Sequence, residues 1–169
     1  SFALYGFPES HAISFALIAY ASAWMKVHRA PEFFASLLNN QPMGFYSSAT
    51  LIKDAQARGV RILPVSIRDS QWVCEVNPDD SIRLGLCMVR GLAASRASQL
   101  LEARRQSPFI SIQDLRTRTG LNRDELRTLA RIGALNPLGN RTDSGAGRTD
   151  ERQSNPHRRA ALWEVESAL

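Results

Sequence analysis

Apolar residues near the start of the chain recur at intervals of three and four positions. The positions on this spacing are the apolar Phe15, Ile18, Ala19 and Met25 together with the small polar Ser22. This spacing predicts one long helix over residues 9–28. Tyr20, Trp24 and Lys26 then lie on other faces of that helix.

Two shorter helices follow in the same third of the chain. Pro31 breaks the first helix and occupies the first position of the next, which covers residues 32–38. After a loop, Ser47 or Ser48 provides the N-cap of a third helix. Gly59 ends this helix, because glycine readily adopts the left-handed conformation that follows a helix C-terminus.

The pattern changes at residue 60 from a helical period to short apolar runs. These runs predict strands over residues 60–63, 71–76 and 81–86. Helical spacing then returns, and two helices, Met88 to Gly91 and Ala94 to Gln106, are joined by a very tight turn. This order of elements predicts a fold that is mainly α with a small β element.

Two capping signals predict the helices that come next. Ser111-x-x-Asp114 and Asn122-x-x-Glu125 both match the capping box, in which two side chains each accept a hydrogen bond from the other residue's backbone amide. Gly133 ends the second of these helices.

Charge is distributed unevenly along the 169 residues, which carry a net charge of +5. Residues 1–82 have six Lys or Arg and seven Asp or Glu, whereas residues 83–159 have fifteen Arg, no Lys and seven acids. A basic block of this kind predicts a surface that faces nucleic acid. Arginine also suits phosphate, because the guanidinium donates forked hydrogen bonds. A coding bias towards arginine would give the same composition.

The sequence offers little for other kinds of site. Cys74 and Cys87 have no metal-ligand spacing and are interpreted as reduced core thiols. The longest apolar stretch, residues 12–25, is too short to cross a bilayer, and we expect a cytoplasmic protein. No carboxylate cluster suited to two metal ions occurs, so we predict no catalytic residue, no metal site and no cofactor bound by this chain.

The segment from Val89 to Leu100 is the clearest candidate for binding. A glycine between apolar and small residues joins two helices, and such a turn exposes the first backbone amides of the second helix. Those amides and the helix dipole can hold a phosphate. The predicted DNA-binding residues are Arg90, Gly91, Leu92, Ala93, Ala94, Ser95 and Arg96.

This segment resembles a helix-hairpin-helix, a module that grips the sugar-phosphate backbone without reading sequence. Ala93 stands where the pattern usually has a second glycine. If that position requires a positive φ, Ala93 adds about 1 kcal/mol of strain. The alternative interpretation is that Gly91 only ends a helix. Residues 119–122 are a candidate second hairpin, although their capping box already uses some of the helix donors and favours a structural role.

Three other segments resemble a known enzyme family. Residues 5–12 read Tyr-Gly-Phe-Pro-Glu-Ser-His-Ala, residues 40–46 read Asn-Gln-Pro-Met-Gly-Phe-Tyr, and residues 157–163 read His-Arg-Arg-Ala-Ala-Leu-Trp. Together they resemble bacterial C-family DNA polymerases (DNA polymerase III alpha-like) of the error-prone branch, from the end of the fingers onward. The resemblance implies that Ser10 and His11 lie close to the phosphates of the incoming nucleotide. It also implies that Mg²⁺ serves the parent polymerase through carboxylates outside this chain.

The residue pattern and the resemblance together divide the chain into five regions. The end of the fingers, assigned by the resemblance, is followed by a short-stranded connector, a helix-hairpin-helix region, a segment whose composition predicts a flexible linker or insertion, and a C-terminal helix. Their bounds are residues 1–59, 60–86, 87–138, 139–156 and 157–169. The implied function is damage-tolerant (translesion) DNA synthesis, in which this chain supplies part of the fingers and a sequence-independent grip on duplex DNA. The implied partners are primer-template DNA, the remainder of the polymerase and other replication or repair proteins, with no membrane.

The chain opens at Ser1 without an initiator methionine and is interpreted as a piece of a longer polypeptide. We therefore expect no polymerase activity from it alone. Two alternatives remain open, namely a stand-alone helix-hairpin-helix DNA-binding module without catalysis and a truncated gene product with no function of its own.

Overall fold

The computed structural model describes residues 9–138 of the chain. The α-helices in this part are α1 (Glu9–His28), α2 (Ala30–Asn39), α3 (Ser48–Ala57), α4 (Ala94–Gln106), α5 (Ile112–Thr119) and α6 (Arg123–Arg131). The strands are β1 (Ile62–Leu63), β2 (Glu75–Val76) and β3 (Ile82–Arg83). The prediction of a mainly α fold with a small β element is confirmed. The predicted linker, 139–156, and C-terminal helix, 157–169, lie outside the described residues.

Several helix ends fall where local signals predict them. Ser47 is the N-cap of α3, and its Oγ accepts a hydrogen bond from the Thr50 amide at 3.2 Å. Gly59 follows α3 with a φ of +82°. The capping box of α6 is complete, because Asn122 Oδ1 accepts from the Glu125 amide and Glu125 Oε2 accepts from the Asn122 amide, both at 2.9 Å.

The capping box predicted at α5 is present only in part. Ser111 Oγ accepts a hydrogen bond from the Asp114 amide at 3.1 Å, as predicted. Asp114 Oδ2 accepts from the amide of Ile110 at 3.1 Å, one residue before the expected partner. The acidic side chain therefore fixes the chain as it enters the helix.

The strands are shorter than the sequence predicts. β3 lies in the middle of the sheet, parallel to β1 and antiparallel to β2. The run predicted over residues 71–76 contributes only its last two residues, Glu75–Val76, and the side chain of Asn39 bonds the backbone of Cys74 directly before them. Asn39 Oδ1 accepts from the Cys74 amide at 2.7 Å, and Asn39 Nδ2 donates to the Cys74 carbonyl at 2.9 Å. These bonds dock the end of α2 onto the sheet.

Two apolar cores meet at this sheet. The hairpin core is built from α4, α5, α6 and the segments around them, with Ile67, Leu86, Val89, Leu92, Leu100, Phe109, Leu115, Leu126 and Leu129 among its buried residues. The helical core is built from α2, α3 and the sheet, with Phe34, Leu38, Leu51, Ala55, Val60, Cys74 and Ile82. Leu84, directly after β3, packs against both cores. The region boundaries near residues 59 and 86 stay predictions.

The helix predicted over Met88 to Gly91 is wrong. Leu86–Met88 forms a single 3-10 turn, and Val89 after it is extended, with φ −82° and ψ 109°. Val89 and Leu92 are both buried in the hairpin core, on either side of Gly91 with its φ of +85°. The positive φ of Gly91 lies outside the right-handed helical region, so the chain turns here before α4 begins.

The long first helix is confirmed, but the face that its spacing singles out is not buried. Phe15, Ile18 and Met25 are 59%, 63% and 37% exposed. The helix contacts α2, and Lys26 Nζ pairs with Asp54 Oδ2 on α3 at 2.7 Å. In the described part of the chain, α1 is therefore attached mainly through its C-terminal end.

Candidate nucleic-acid interface

The turn before α4 adopts its backbone conformation without strain. Gly91 has a φ of +85°, and a Cβ added there would meet nothing within 4 Å, so backbone conformation alone requires glycine. Ala93 has φ −69° and ψ 143°, the extended geometry of an N-cap residue. A positive φ is not needed at Ala93, and the strain considered for it does not arise.

The N-terminus of α4 has the features of an anion site. Its N-cap, Ala93, makes no side-chain capping hydrogen bond, and its first turn contains no acidic residue. The first hydrogen bond within the helix runs from the Ala97 amide to the Ala93 carbonyl at 3.0 Å. The amides of Ala94, Ser95 and Arg96 come before it and therefore lack helical acceptors. Ala94 and Ser95 are exposed, so this end of the helix, which is the positive end of its dipole, lies at the surface.

The equivalent end of α6 is built differently. Asn122 and Glu125 form a closed capping box, which uses amides at this terminus. Asp124 and Glu125 also place two carboxylates in the first turn. They repel a phosphate that approaches the helix end. Gly120, with a φ of +61°, lies in the turn that joins α5 to α6. Because the start of α6 is capped and acidic, this turn suits a structural role better than phosphate binding.

Arg96 connects the two hairpins. Its Nη1 donates to Gln99 Oε1 at 3.0 Å, a neutral partner that leaves the positive charge uncancelled. The same Nη1 lies 3.1 Å from the position that a Cβ on Gly120 would occupy. Arg96 and Gly120, with Arg118, line an open groove of about 510 Å³ between α4 and the end of α5. The positive φ of Gly120 favours glycine there, and a side chain at this position would also shift the Arg96 guanidinium slightly.

The other predicted site residues lie in different surroundings. Arg90 is exposed beside Gly91. Leu92 is only 8% exposed and belongs to the hairpin core, so only its backbone can face a ligand. Ser10 and His11 are exposed in the first turn of α1, where the His11 ring packs edge-on against Phe15 at 4.5 Å between centroids. The hairpin core contains no residue of α1, so the structure does not unite these two predicted sites.

Several arginines of the basic block hold the fold together. Arg104 Nη1 donates to the carbonyls of Ile67 at 3.0 Å and Ser70 at 2.7 Å. Arg83 Nη1 donates to the Pro64 carbonyl at 2.9 Å. Charge counting along the sequence missed these roles, because the partners lie 19 to 37 positions away.

Arg118 is the most heavily used of these structural arginines. Its Nη2 donates to the carbonyls of Ala103 and Ser107, and its Nη1 to Asp114 Oδ2 at 3.3 Å. Its guanidinium also lies over the Phe109 ring at 4.7 Å. The side chain ties the end of α4 to α5.

Residues 9–138 contain no group of three or more His, Cys, Asp or Glu side chains that could hold a metal ion. No helix in the same range is long and apolar enough to span a membrane.

Comparison with known proteins gives consistent relatives. The error-prone DNA polymerase of Alkalilimnicola ehrlichii is 46% identical over 97% of this chain, and that of Methylococcus capsulatus is 41% identical over 97%. The error-prone DNA polymerase of Dechloromonas aromatica is 42% identical over 99%. The chain spans about 15% of the length of these curated relatives. The predicted resemblance to the error-prone polymerases is confirmed.

The family of the helix-hairpin-helix motif matches residues 59–144, just over half of the chain. The matched range includes the Gly91 turn, α4, α5 and α6. The chain therefore belongs to the helix-hairpin-helix family.

Proposed function

We propose that this chain holds the sugar-phosphate backbone of duplex DNA at the N-terminus of α4, as part of an error-prone DNA polymerase. The observation that carries the proposal is the contrast between two helix ends in one motif. α4 has no side-chain cap and no acid in its first turn, whereas α6 has both. Arg90 and Arg96 flank the open end and add positive charge.

Binding of this kind is independent of base sequence. Backbone amides and the flanking guanidinium groups reach phosphate oxygens, whereas sequence is read from base edges in the grooves. Each neutralised phosphate releases condensed counterions, so affinity falls with salt by a log–log slope of about −0.9 per contact.

The test is fluorescence anisotropy of the 169-residue chain on two unrelated duplexes over a salt series. Arg90→Ala and Arg96→Ala are each expected to reduce the salt slope by roughly one, if each side chain makes one phosphate contact. Arg68→Ala is the control, because Arg68 is exposed and lies outside the hairpin. Equal losses for all three variants, or strong discrimination between the duplexes, would contradict the proposed grip.

The larger role is proposed by similarity to the polymerases. In such an enzyme this chain contributes the end of the fingers and grips the duplex, and the enzyme synthesises DNA across damaged template in the cytoplasm. Ser10 and His11 contact the phosphates of the incoming nucleotide, and Mg²⁺ is held by carboxylates elsewhere. A polymerase carrying His11→Ala is then expected to show a raised KM for nucleotide with unchanged duplex affinity. An unchanged KM would remove His11 from that role.

A further inference from the structure

The loop between α2 and α3 borders an apolar cavity of about 340 Å³, here called the loop cavity. Leu37 on α2 and Leu51 on α3 line it from the fold, and Met43, Phe45 and Tyr46 line it from the loop. The Phe45 ring is fully exposed and Tyr46 is 67% exposed. Ligand sites in proteins are typically concave and mostly apolar, with a few polar groups. The loop cavity is therefore a candidate site whose aromatic side chains are accessible from solvent.

One polar side chain at this cavity lacks a partner. Gln41 lines the cavity, and its Nε2 is buried without a hydrogen-bond acceptor in the described part of the chain. Buried side-chain donors in folded proteins almost always have a partner. An occupant that brings an acceptor satisfies this amide, whereas a purely apolar occupant does not.

Positive charge lies next to the loop cavity. An adjoining cavity of about 420 Å³ shares three of its lining residues and is also lined by Lys26 and Asp54. Lys26 Nζ lies 2.7 Å from Asp54 Oδ2, and Arg58 Nε lies 3.1 Å from Asp54 Oδ1. One carboxylate is thus shared by two cations, and the cluster keeps a net charge of +1. A surplus of one positive charge matches the single negative charge of a phosphodiester.

We propose that the loop cavity receives one unpaired nucleobase of single-stranded DNA. The base stacks on the exposed rings of Phe45 and Tyr46, because every base has a flat π-face. Its polar edge accepts a hydrogen bond from Gln41 Nε2, and the phosphate beside it lies near Lys26 and Arg58.

Other occupants match these features less well. An apolar side chain of a protein partner fills the volume but leaves the Gln41 amide unpaired. A free nucleoside triphosphate brings several negative charges to a cluster with a surplus of one positive charge. A base in a duplex is already paired and stacked, so the site selects single strands. The loop cavity is also separate from the grip at α4, because the hairpin core contains none of its lining residues.

The test is ultraviolet crosslinking of the 169-residue chain to an oligo(dT) strand of about twelve nucleotides that carries 5-iododeoxyuridine. Crosslinked residues are identified by peptide mass spectrometry. We expect crosslinks at Phe45 or Tyr46, and we expect them to disappear when the strand is annealed to oligo(dA). Crosslinks confined to other residues, or equal crosslinking of the duplex at this loop, would overturn the site.

Competition identifies the source of the base. Unlabelled oligo(dT) should suppress the loop crosslinks at least roughly tenfold better than an abasic strand of the same length, because stacking on the aromatic rings requires bases. Equal suppression by the abasic strand would show that only the phosphates bind. Suppression by thymidine triphosphate as strong as that by oligo(dT) would overturn the strand as the source.

Two variants test the assigned contacts. Phe45→Ala removes a fully exposed ring and should lower the crosslink yield at Tyr46 by roughly tenfold. Phe15→Ala is the matched control, since Phe15 is 59% exposed on α1 and does not line the cavity, and its yield should not change. Gln41→Leu removes the amide and should lower the yield at least roughly threefold.

Equal yields in Phe45→Ala and Phe15→Ala would overturn the stacking role of the loop. An unchanged yield in Gln41→Leu would overturn the base as occupant, because an apolar occupant does not need the amide. Duplex affinity and its salt slope, measured on the same variants, test the α4 site separately.

Discussion

The arginines of this chain fall into two groups, those exposed at the surface and those that hold the fold together through hydrogen bonds. Arg90 is exposed beside Gly91, whereas Arg118 donates hydrogen bonds to backbone carbonyls and packs over the Phe109 ring. The sequence predicts the basic block, but it does not show which of its arginines are exposed and which hold the fold together. Phe109 and Arg118 are nine positions apart, and their contact depends on how α4 and α5 pack.

Arg118→Ala is expected to destabilise the chain by about 2–3 kcal/mol, because it removes the hydrogen bonds to the Ala103 and Ser107 carbonyls, the ion pair with Asp114 and the contact with the Phe109 ring. Urea unfolding followed by circular dichroism measures this. Arg105→Ala is the matched control, since Arg105 makes only an exposed pair with Glu102 at 3.3 Å and should change stability by less than about 0.5 kcal/mol. A loss for Arg105→Ala as large as that for Arg118→Ala would contradict the structural role of Arg118.

Cys74 gives a prediction about pH. Burial raises the pKa of Cys74 from its ordinary value of 9.0 to about 11. A folded pKa above the unfolded one means that the neutral thiol favours the fold, so this contribution is constant below about pH 9 and declines from there to about pH 11. The urea midpoint of the wild type should fall over that window more than the midpoint of Cys74→Ala. Parallel pH profiles for the two proteins would show that Cys74 does not titrate as described.

Among whole elements, the accuracy of the sequence predictions follows the range of the interactions. The ends of α3 and α6 were predictable because the caps and glycines act within four residues. The docking of Asn39 onto the backbone of Cys74 was not, because the two residues are 35 positions apart, and the 3-10 turn before Gly91 was mistaken for a helix. The candidate site was recognised from the Gly91 pattern, but its open helix end became evident only beside the capped α6.

The uncapped start of α4 predicts opposite effects on stability and function. Ala93 already has extended N-cap geometry, so Ala93→Ser can cap the helix and stabilise it by about 0.5–1 kcal/mol. The new cap occupies an amide that the proposal assigns to phosphate, and DNA affinity should therefore fall. Thermal unfolding and anisotropy measure the two effects on the same sample.

Ala93→Asp should weaken DNA binding further, because it adds a negative charge at the same position. Asn122→Ala is the control at α6, where loss of the cap should destabilise by about 1 kcal/mol without changing the salt slope. Tighter DNA binding by Ala93→Ser would place the phosphate away from the start of α4.

On the scale of the whole molecule, the residues between α3 and α4 couple the two cores. Arg104 on α4 donates to the carbonyls of Ile67 and Ser70. Ser70 Oγ in turn donates to the Leu84 carbonyl at 2.7 Å, and Leu84 packs against both cores. Because these contacts form a continuous path, we expect the described part of the chain to unfold as one cooperative unit.

Leu100→Ala tests this coupling, because Leu100 is fully buried in the hairpin core and contributes nothing to the helical core. Removing it should destabilise the chain by about 2–5 kcal/mol. If the cores unfold together, the labelling of Cys74 in the helical core should accelerate by roughly thirtyfold or more, since each 1.4 kcal/mol is a factor of ten. Leu51→Ala, within the helical core, should accelerate Cys74 labelling in either case and serves as the positive control. An unchanged Cys74 rate in Leu100→Ala would mean that the hairpin region opens on its own, and it could then release DNA while the helices before it remain folded.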